Sequence, residues 1–258
     1  MTYCQIKDYI SDIKNKNDKQ NLNEISLLLT SDKRKNVISL GQKLINEKIK
    51  LDNEIKRVTA LYDFDRSFLK QCYIAGVDEV GRGPLAGPIV GAAVVLDLDV
   101  KDSDLILWLN DSKKLSEKRR EEIAEVIKQK AVAYKISEIS NKVIDEKGIA
   151  YANNKVFLDS CNSLSVKPKL VLSDGYAVKH IDIANQYVIK GDTKSASIAA
   201  ASIIAKVYRD NLMKEYAKVY PCYKFDSNAG YGSKEHIDAI KNNGITEIHR
   251  KSFLTRII

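Results

Sequence analysis

One stretch, YIAGVDEVGRGPLAGPIVGAAVVL at residues 73–96, constrains the fold more than any other. Residues 73–77 read as a short apolar strand. Asp78 and Glu79 follow side by side, and then Arg82 between Gly81 and Gly83. Pro84, Gly87 and Pro88 turn the chain, and residues 89–96 read as a second, buried strand. Neighbouring strand residues face opposite sides of a sheet. Asp78 and Glu79 therefore serve one site only if the strand loses its regularity, and the glycines beyond them predict that it does. A carboxylate at the end of a central strand, beside a glycine loop, suits a hard divalent cation and a phosphate. Taken alone the pair is equally consistent with a solvated turn.

The chain has 258 residues, enough for one large domain or a domain with an extension. Its net charge of +8 favours a polyanionic partner, nucleic acid first. Cys4, Cys72, Cys161 and Cys222 show no metal-ligand spacing and read as reduced thiols. The first residues lack an apolar signal core, and no apolar run approaches the length of a membrane span. The expectation is a cytoplasmic protein.

Of the 12 glycines only Gly41 precedes residue 76, and all four prolines lie beyond it. Residues 1–72 are therefore expected to be a helical extension, with helices at 3–14, 22–29 and 32–62 and a polar linker at 15–21. Val37, Leu44, Leu51 and Val58 recur every seventh residue, which predicts one apolar stripe packed on neighbouring helices rather than a coiled-coil dimer. Lys43, Lys48, Lys50 and Lys56 form a basic face, and no catalytic constellation stands out here.

The second domain, residues 73–258, carries the chemistry. Ser116 is a good N-cap for a helix at 117–130, and the Ser112-Lys113-Lys114 segment before it suits a phosphate. A strand at 131–139 and one long helix at 141–164 follow. Short apolar strands at 169–173 and 187–190 end at Asp174-Gly175 and Gly191-Asp192. Three strands thus each deliver an acid at or just past the terminus, as a one- or two-metal phosphoryl-transfer site requires. A helix at 198–216 has a small-residue run suited to close approach to the sheet, and it sets Lys206 and Arg209 on one face. Asp210 reads as an ion-pair partner of Arg209. Tyr231, between Gly230 and Gly232, reads as an exposed aromatic able to stack on a base or sugar. Ser233 caps a helix through Asn242. His180, His236 and His249 lack zinc spacing.

Six motifs in order, GVDEVGRGPLAGP, NDSKKLSEKRR, VKPKLVLSDG, KGDTKSASIAAASIIAKVYRD, AGYGSKEH and IHRKSF, are those of a known family. From residue 73 to about 253 the chain resembles ribonuclease HII, of the ribonuclease H superfamily. The resemblance implies an α/β fold with a mixed five-stranded sheet flanked by helices. It implies four metal-binding acids, Asp78, Glu79, Asp174 and Asp192. It assigns Gly81-Arg82-Gly83 to reading a ribonucleotide's 2′-hydroxyl and Tyr231 to stacking at an RNA-to-DNA junction. Ala229 departs from the family, many of whose members have lysine there. The helical residues 1–72 argue against ribonuclease HIII, whose N-terminal domain is expected to be sheet-rich.

The resemblance thus implies a monomeric endonuclease for RNA–DNA hybrids and ribonucleotides embedded in duplex DNA. It would use two Mg²⁺ or Mn²⁺ ions and leave 3′-hydroxyl and 5′-phosphate ends. Lys113, Lys194, Lys206 and Arg209 are the candidate phosphate contacts. The competing readings are a basic nucleic-acid-binding protein without activity, which leaves the strand-end acids unexplained, and a metal phosphatase for small phosphoesters.

Overall fold

The computed structural model describes residues 1–16, 18–69 and 72–255. The chain divides into two units, Met1–Arg57 and Val58–Ile258. In the first, helix α1 (Tyr3–Asn15) opens on a capping box in which Thr2 and Gln5 satisfy each other's backbone N–H groups. Helix α2 (Lys19–Thr30) starts inside the expected linker, because Asp18 accepts the Asn21 N–H and caps it. Asn17 of that linker lies outside the described residues. Helix α3 (Lys35–Arg66) runs past its expected end at Tyr62. Val37 and Leu44 of its stripe bury with Ile6, Ile10 and Leu29, so this part of the stripe is covered within the unit.

The last turns of α3 belong to the second unit. Val58, Leu61 and Tyr62 are buried there. Asp65 accepts the Ser197 N–H at 2.8 Å, and Arg66 donates from Nε to the Leu98 carbonyl at 2.6 Å.

Five strands make the sheet of this unit: β1 (Ile74–Val80), β2 (Ile89–Val95), β3 (Ala133–Ile139), β4 (Leu170–Asp174) and β5 (Ala184–Val188). Their order is β3-β2-β1-β4-β5, with β1–β2 and β2–β3 antiparallel and β1–β4 and β4–β5 parallel. This is the mixed five-stranded sheet expected. Helix α4 (Glu117–Lys130) begins where Ser116 caps it. The single helix expected over 141–164 is two, α5 (Asn141–Lys147) and α6 (Ile149–Asn162). Gly148 between them has φ +82°, a conformation no helix interior accommodates. The last strand was expected at 187–190 but lies at β5, and the chain leaves it through Lys190 at φ +56°.

Helix α7 (Ala196–Val219) covers one face of the sheet and α6 the other. On the α7 side the approach is closest at Gly76, where any Cβ would collide with the Ser197–Ile198 backbone. The run Ala199–Ala201 is fully buried against the same face. On the other side Val156 of α6 closes on Gly91, and Ala75, Val77, Ala93 and Phe157 complete that core. A further cluster joins α8 (Phe225–Asn228), α9 (Lys234–Asn243) and α10 (Lys251–Leu254) through Phe225, Ile240 and Leu254. Among the described residues no helix is long and apolar enough to cross a membrane.

Candidate active site at the ends of β1 and β4

Contrary to the expected break, β1 stays regular through its acids, pairing Asp78 with Ala92, Glu79 with Gly91 and Val80 with Val90. The ladder to β2 holds both residues extended, and the glycines that were expected to disrupt it come only after Val80. Asp78 thus shares the Gly76 face, toward α7, and Glu79 shares the Gly91 face, toward α6. They reach one site around the strand end rather than from one side. Ser173 is the last β4 residue registered with β1, opposite Val77, so Asp174 comes level with Asp78. Asp174 Oδ1 accepts the Gly191 N–H at 2.7 Å, which draws the turn carrying Asp192 to the end of β4.

The electrostatics follow from this convergence. Burial, the Glu79 charge and the Asp174 charge raise the Asp78 carboxyl well above the usual carboxylate range. Glu79 is pushed up to about 7 by burial and Asp174, against the pull of Arg82 and Lys113. Asp192 is raised by burial and by Asp174 and Asp111, with Lys113 and Lys114 opposing. Glu79 Oε2 is buried without a hydrogen-bond partner among the described residues. Among the described residues no three acids, histidines or cysteines stand at ready-made ligand spacing. The donor set nonetheless fits a hard cation: oxygen ligands only, mutually repelling, one of them orphaned. A divalent ion would satisfy Glu79 Oε2 and relieve the charge that raises Asp78, Glu79 and Asp192.

Around the acids lies a ring of candidate substrate contacts. Gly81 is buried, whereas Arg82 and Gly83 are exposed. The Arg82 guanidinium sits 3.7 Å from Glu79 and 4.9 Å from the Tyr176 ring centre. Tyr231 is 43% exposed, and its Cε1 lies 3.8 Å from where a side chain on Gly83 would begin. Lys113 and Lys194 are exposed. Lys206 is half-buried and pairs with Asp210 at 2.7 Å, as Arg120 does at 3.4 Å. Arg209 overturns its expected role. It is fully buried, pairs with neither a phosphate-facing surface nor Asp210, and donates to the carbonyls of Pro88, Ala86 and Ala229. A helical spacing of three residues told only that Lys206 and Arg209 share a side, not that the side at Arg209 is covered.

Sequence reasoning missed three buried polar groups: Asp65, Arg250 and the pair His236 and His249. The partners of Asp65 and Arg250 lie more than a hundred residues away, and the two histidines meet across 13 residues. No local signal marks them as buried: Asp65 stands between Phe64 and Arg66, and His249-Arg250 runs on into Lys251-Ser252.

The ribonuclease HII family model matches residues 75–256, a span that begins one residue into β1 and takes in the rest of the sheet. The chain belongs to the ribonuclease HII family. It is therefore a hydrolytic endoribonuclease of a metal-dependent family, and the reading as a binding protein without activity falls. A ribonuclease HII from Clostridium beijerinckii is 64% identical over 89% of this chain and 85% of its own length. One from Clostridium acetobutylicum is 58% identical over the full length of both. Among solved structures, the ribonuclease H2 of Pyrococcus horikoshii OT3 matches with a TM-score of 0.59 at 28% identity, covering 70% of this chain and 93% of its own.

Proposed function

We propose that the chain cuts the RNA strand of RNA–DNA hybrids and duplex DNA on the 5′ side of an embedded ribonucleotide, leaving 3′-hydroxyl and 5′-phosphate ends. The observation that carries this reading is the meeting of Asp78, Glu79, Asp174 and Asp192 at the ends of β1 and β4, with Glu79 Oε2 unpartnered beneath the exposed Arg82-Gly83 loop. Asp78, Glu79, Asp174 and Asp192 would hold two Mg²⁺ or Mn²⁺ ions. When bound, such a pair supplies an activated water and charge stabilisation for the leaving 3′ oxygen.

The chain's own residues do the rest by positioning. Exposed amides of the 81–83 loop meet sugar and phosphate oxygens of the strand to be cut. Tyr231, beside Gly83, stacks on the nucleotide next to the scissile bond. Lys113, whose charge is felt at both Glu79 and Asp192, holds a phosphate at the edge of the acids, and Lys194 holds another. Lys206 serves through Asp210 and Arg120, which donates to the Ser112 and Leu115 carbonyls and steadies the Lys113 segment. A cytoplasmic monomer that removes ribonucleotides and primers from replicated DNA fits this chemistry.

The test is cleavage of a DNA duplex carrying one ribonucleotide, with Mg²⁺ and with Mn²⁺, beside the Asp78→Asn variant. One cut 5′ to the ribonucleotide, lost in the variant, is the expected result. A cut at another position, or turnover by the variant near the wild-type rate, would overturn the reading.

A further inference from the structure

Two fully buried guanidiniums lie beneath the 81–88 loop, and among the described residues their hydrogen bonds go to carbonyls, none to a carboxylate. Arg209 donates from Nε to Pro88 at 3.0 Å, from Nη2 to Ala86 at 3.1 Å and from Nη1 to Ala229 at 2.8 Å. Arg250 donates from Nε to Gly87 at 2.9 Å, from Nη1 to Arg82 at 3.0 Å and from Nη2 to Gly81 at 2.6 Å. Buried charges are ordinarily paired with an acid. Here carbonyl dipoles solvate both cations, and five of the six carbonyls belong to one loop. The fit is tight: a Cβ on Gly81 would collide with the Arg209 side chain.

The consequence lies on the other side of the loop. The peptides are trans, so each carbonyl points opposite to the next residue's N–H. Drawing the Gly81 and Arg82 carbonyls inward turns the Arg82 and Gly83 N–H groups outward. Among the described residues neither N–H has a protein acceptor, and both residues are exposed. Successive outward amides above two cations form a concavity for oxygen lone pairs. Burial and the neighbouring Arg209 lower the Arg250 guanidinium to about 9, so it remains a cation at neutral pH.

We propose that Arg250, with Arg209 beside it, is the positioning residue that aims the Arg82 and Gly83 amides at an oxygen of the substrate's sugar-phosphate backbone. The proposal rests on the functional reading above and deepens it. Neither arginine touches substrate; each acts through the loop. The oxygen belongs to a phosphodiester or to a ribose 2′-hydroxyl, and the two are separable by experiment.

Arg250→Lys keeps the charge and removes the planar three-point fork. Its fold is checked by circular dichroism. Binding is measured in EDTA, where no cleavage occurs, to a duplex with one ribonucleotide and to the all-DNA duplex of the same sequence. The expected result is a Kd raised about tenfold for the ribonucleotide duplex, with KM rising by a like factor and kcat changing less. Weakening confined to the ribonucleotide duplex assigns the oxygen to the 2′-hydroxyl, and equal weakening of both assigns it to a phosphate. A folded variant with wild-type Kd and KM overturns the proposal and leaves Arg250 a packing residue. If the variant does not fold, the wild-type protein decides: the Arg82 and Gly83 amide resonances move when the ribonucleotide duplex is added, and stationary resonances overturn the proposal. A wild type that binds the duplex without cutting it defeats the functional reading instead, and needs no variant to reveal it.

Discussion

His249 donates its Nε2–H to His236 Nε2 across 3.1 Å, inside the cluster that holds the Tyr231 turn. The tautomers follow from the outer partners. Thr246 N–H donates to His249 Nδ1 at 2.9 Å, so the His249 proton is on Nε2. His236 then accepts on Nε2 and donates its Nδ1–H to the Tyr231 carbonyl at 2.8 Å. Both rings are neutral, and the chain of bonds ties the Tyr231 backbone to the C-terminal segment.

A pH dependence results. Burial and the neighbouring His236 lower the His249 ring to about 4, from an ordinary 6.5. The unfolded chain takes up this proton near pH 6.5 and the folded chain resists it until about 4. The stabilisation is therefore complete above pH 6.5 and is lost as pH falls toward 4. Thermal melts over this range are expected to show a loss on the order of 1–2 kcal/mol that His249→Gln flattens. Parallel curves for the two proteins would refute the relay.

Asp78→Asn keeps the shape and the acceptor for the Glu79 N–H, now at 2.8 Å, while removing a buried charge that repels Glu79 and Asp174. Cleavage should fall about a thousandfold or more, as expected when electrostatic stabilisation is lost at its centre. In EDTA the melting temperature should equal or exceed that of the wild type. A variant that loses activity only because it is less stable would fail this pair of measurements.

Tyr231→Ala removes an exposed ring and leaves the Tyr231 carbonyl to His236. Stacking on a base is worth about 1–3 kcal/mol, so cleavage of a single-ribonucleotide duplex should drop about tenfold or more. Tyr231→Phe should restore it, and melting of all three proteins should coincide. An unchanged rate in the alanine variant would make Tyr231 a packing residue.

Gly76→Ala forces a methyl into the Ser197–Ile198 backbone, where helix α7 meets β1. Neither element can yield without disturbing Asp78, two residues on. The expected cost is about 3 kcal/mol, seen as a lower midpoint in denaturant melts monitored by circular dichroism. A midpoint within error of the wild type would show that α7 has room to move.

What the chain determined by itself has local causes. Ser116, Ser233 and Thr2 open their helices through bonds to residues three positions on, so spacing alone locates α4, α9 and α1. The apolar strands and the acids that end or follow them are short-range patterns as well, and with the motif order they carried the family and the fold. The tertiary structure decided what depends on distant partners. Neighbouring strand β2 keeps β1 regular through Asp78 and Glu79, so the acids meet around a strand end and not through a kink. Gly148, at φ +82°, ends one helix and starts another where the spacing predicted a single one. Arg209 and Arg250 look like surface cations in sequence, and only the folded loop's inward carbonyls make them buried struts. Periodicity and capping are written within a few residues. The partner of a buried polar group can be a hundred residues away, and only packing selects it.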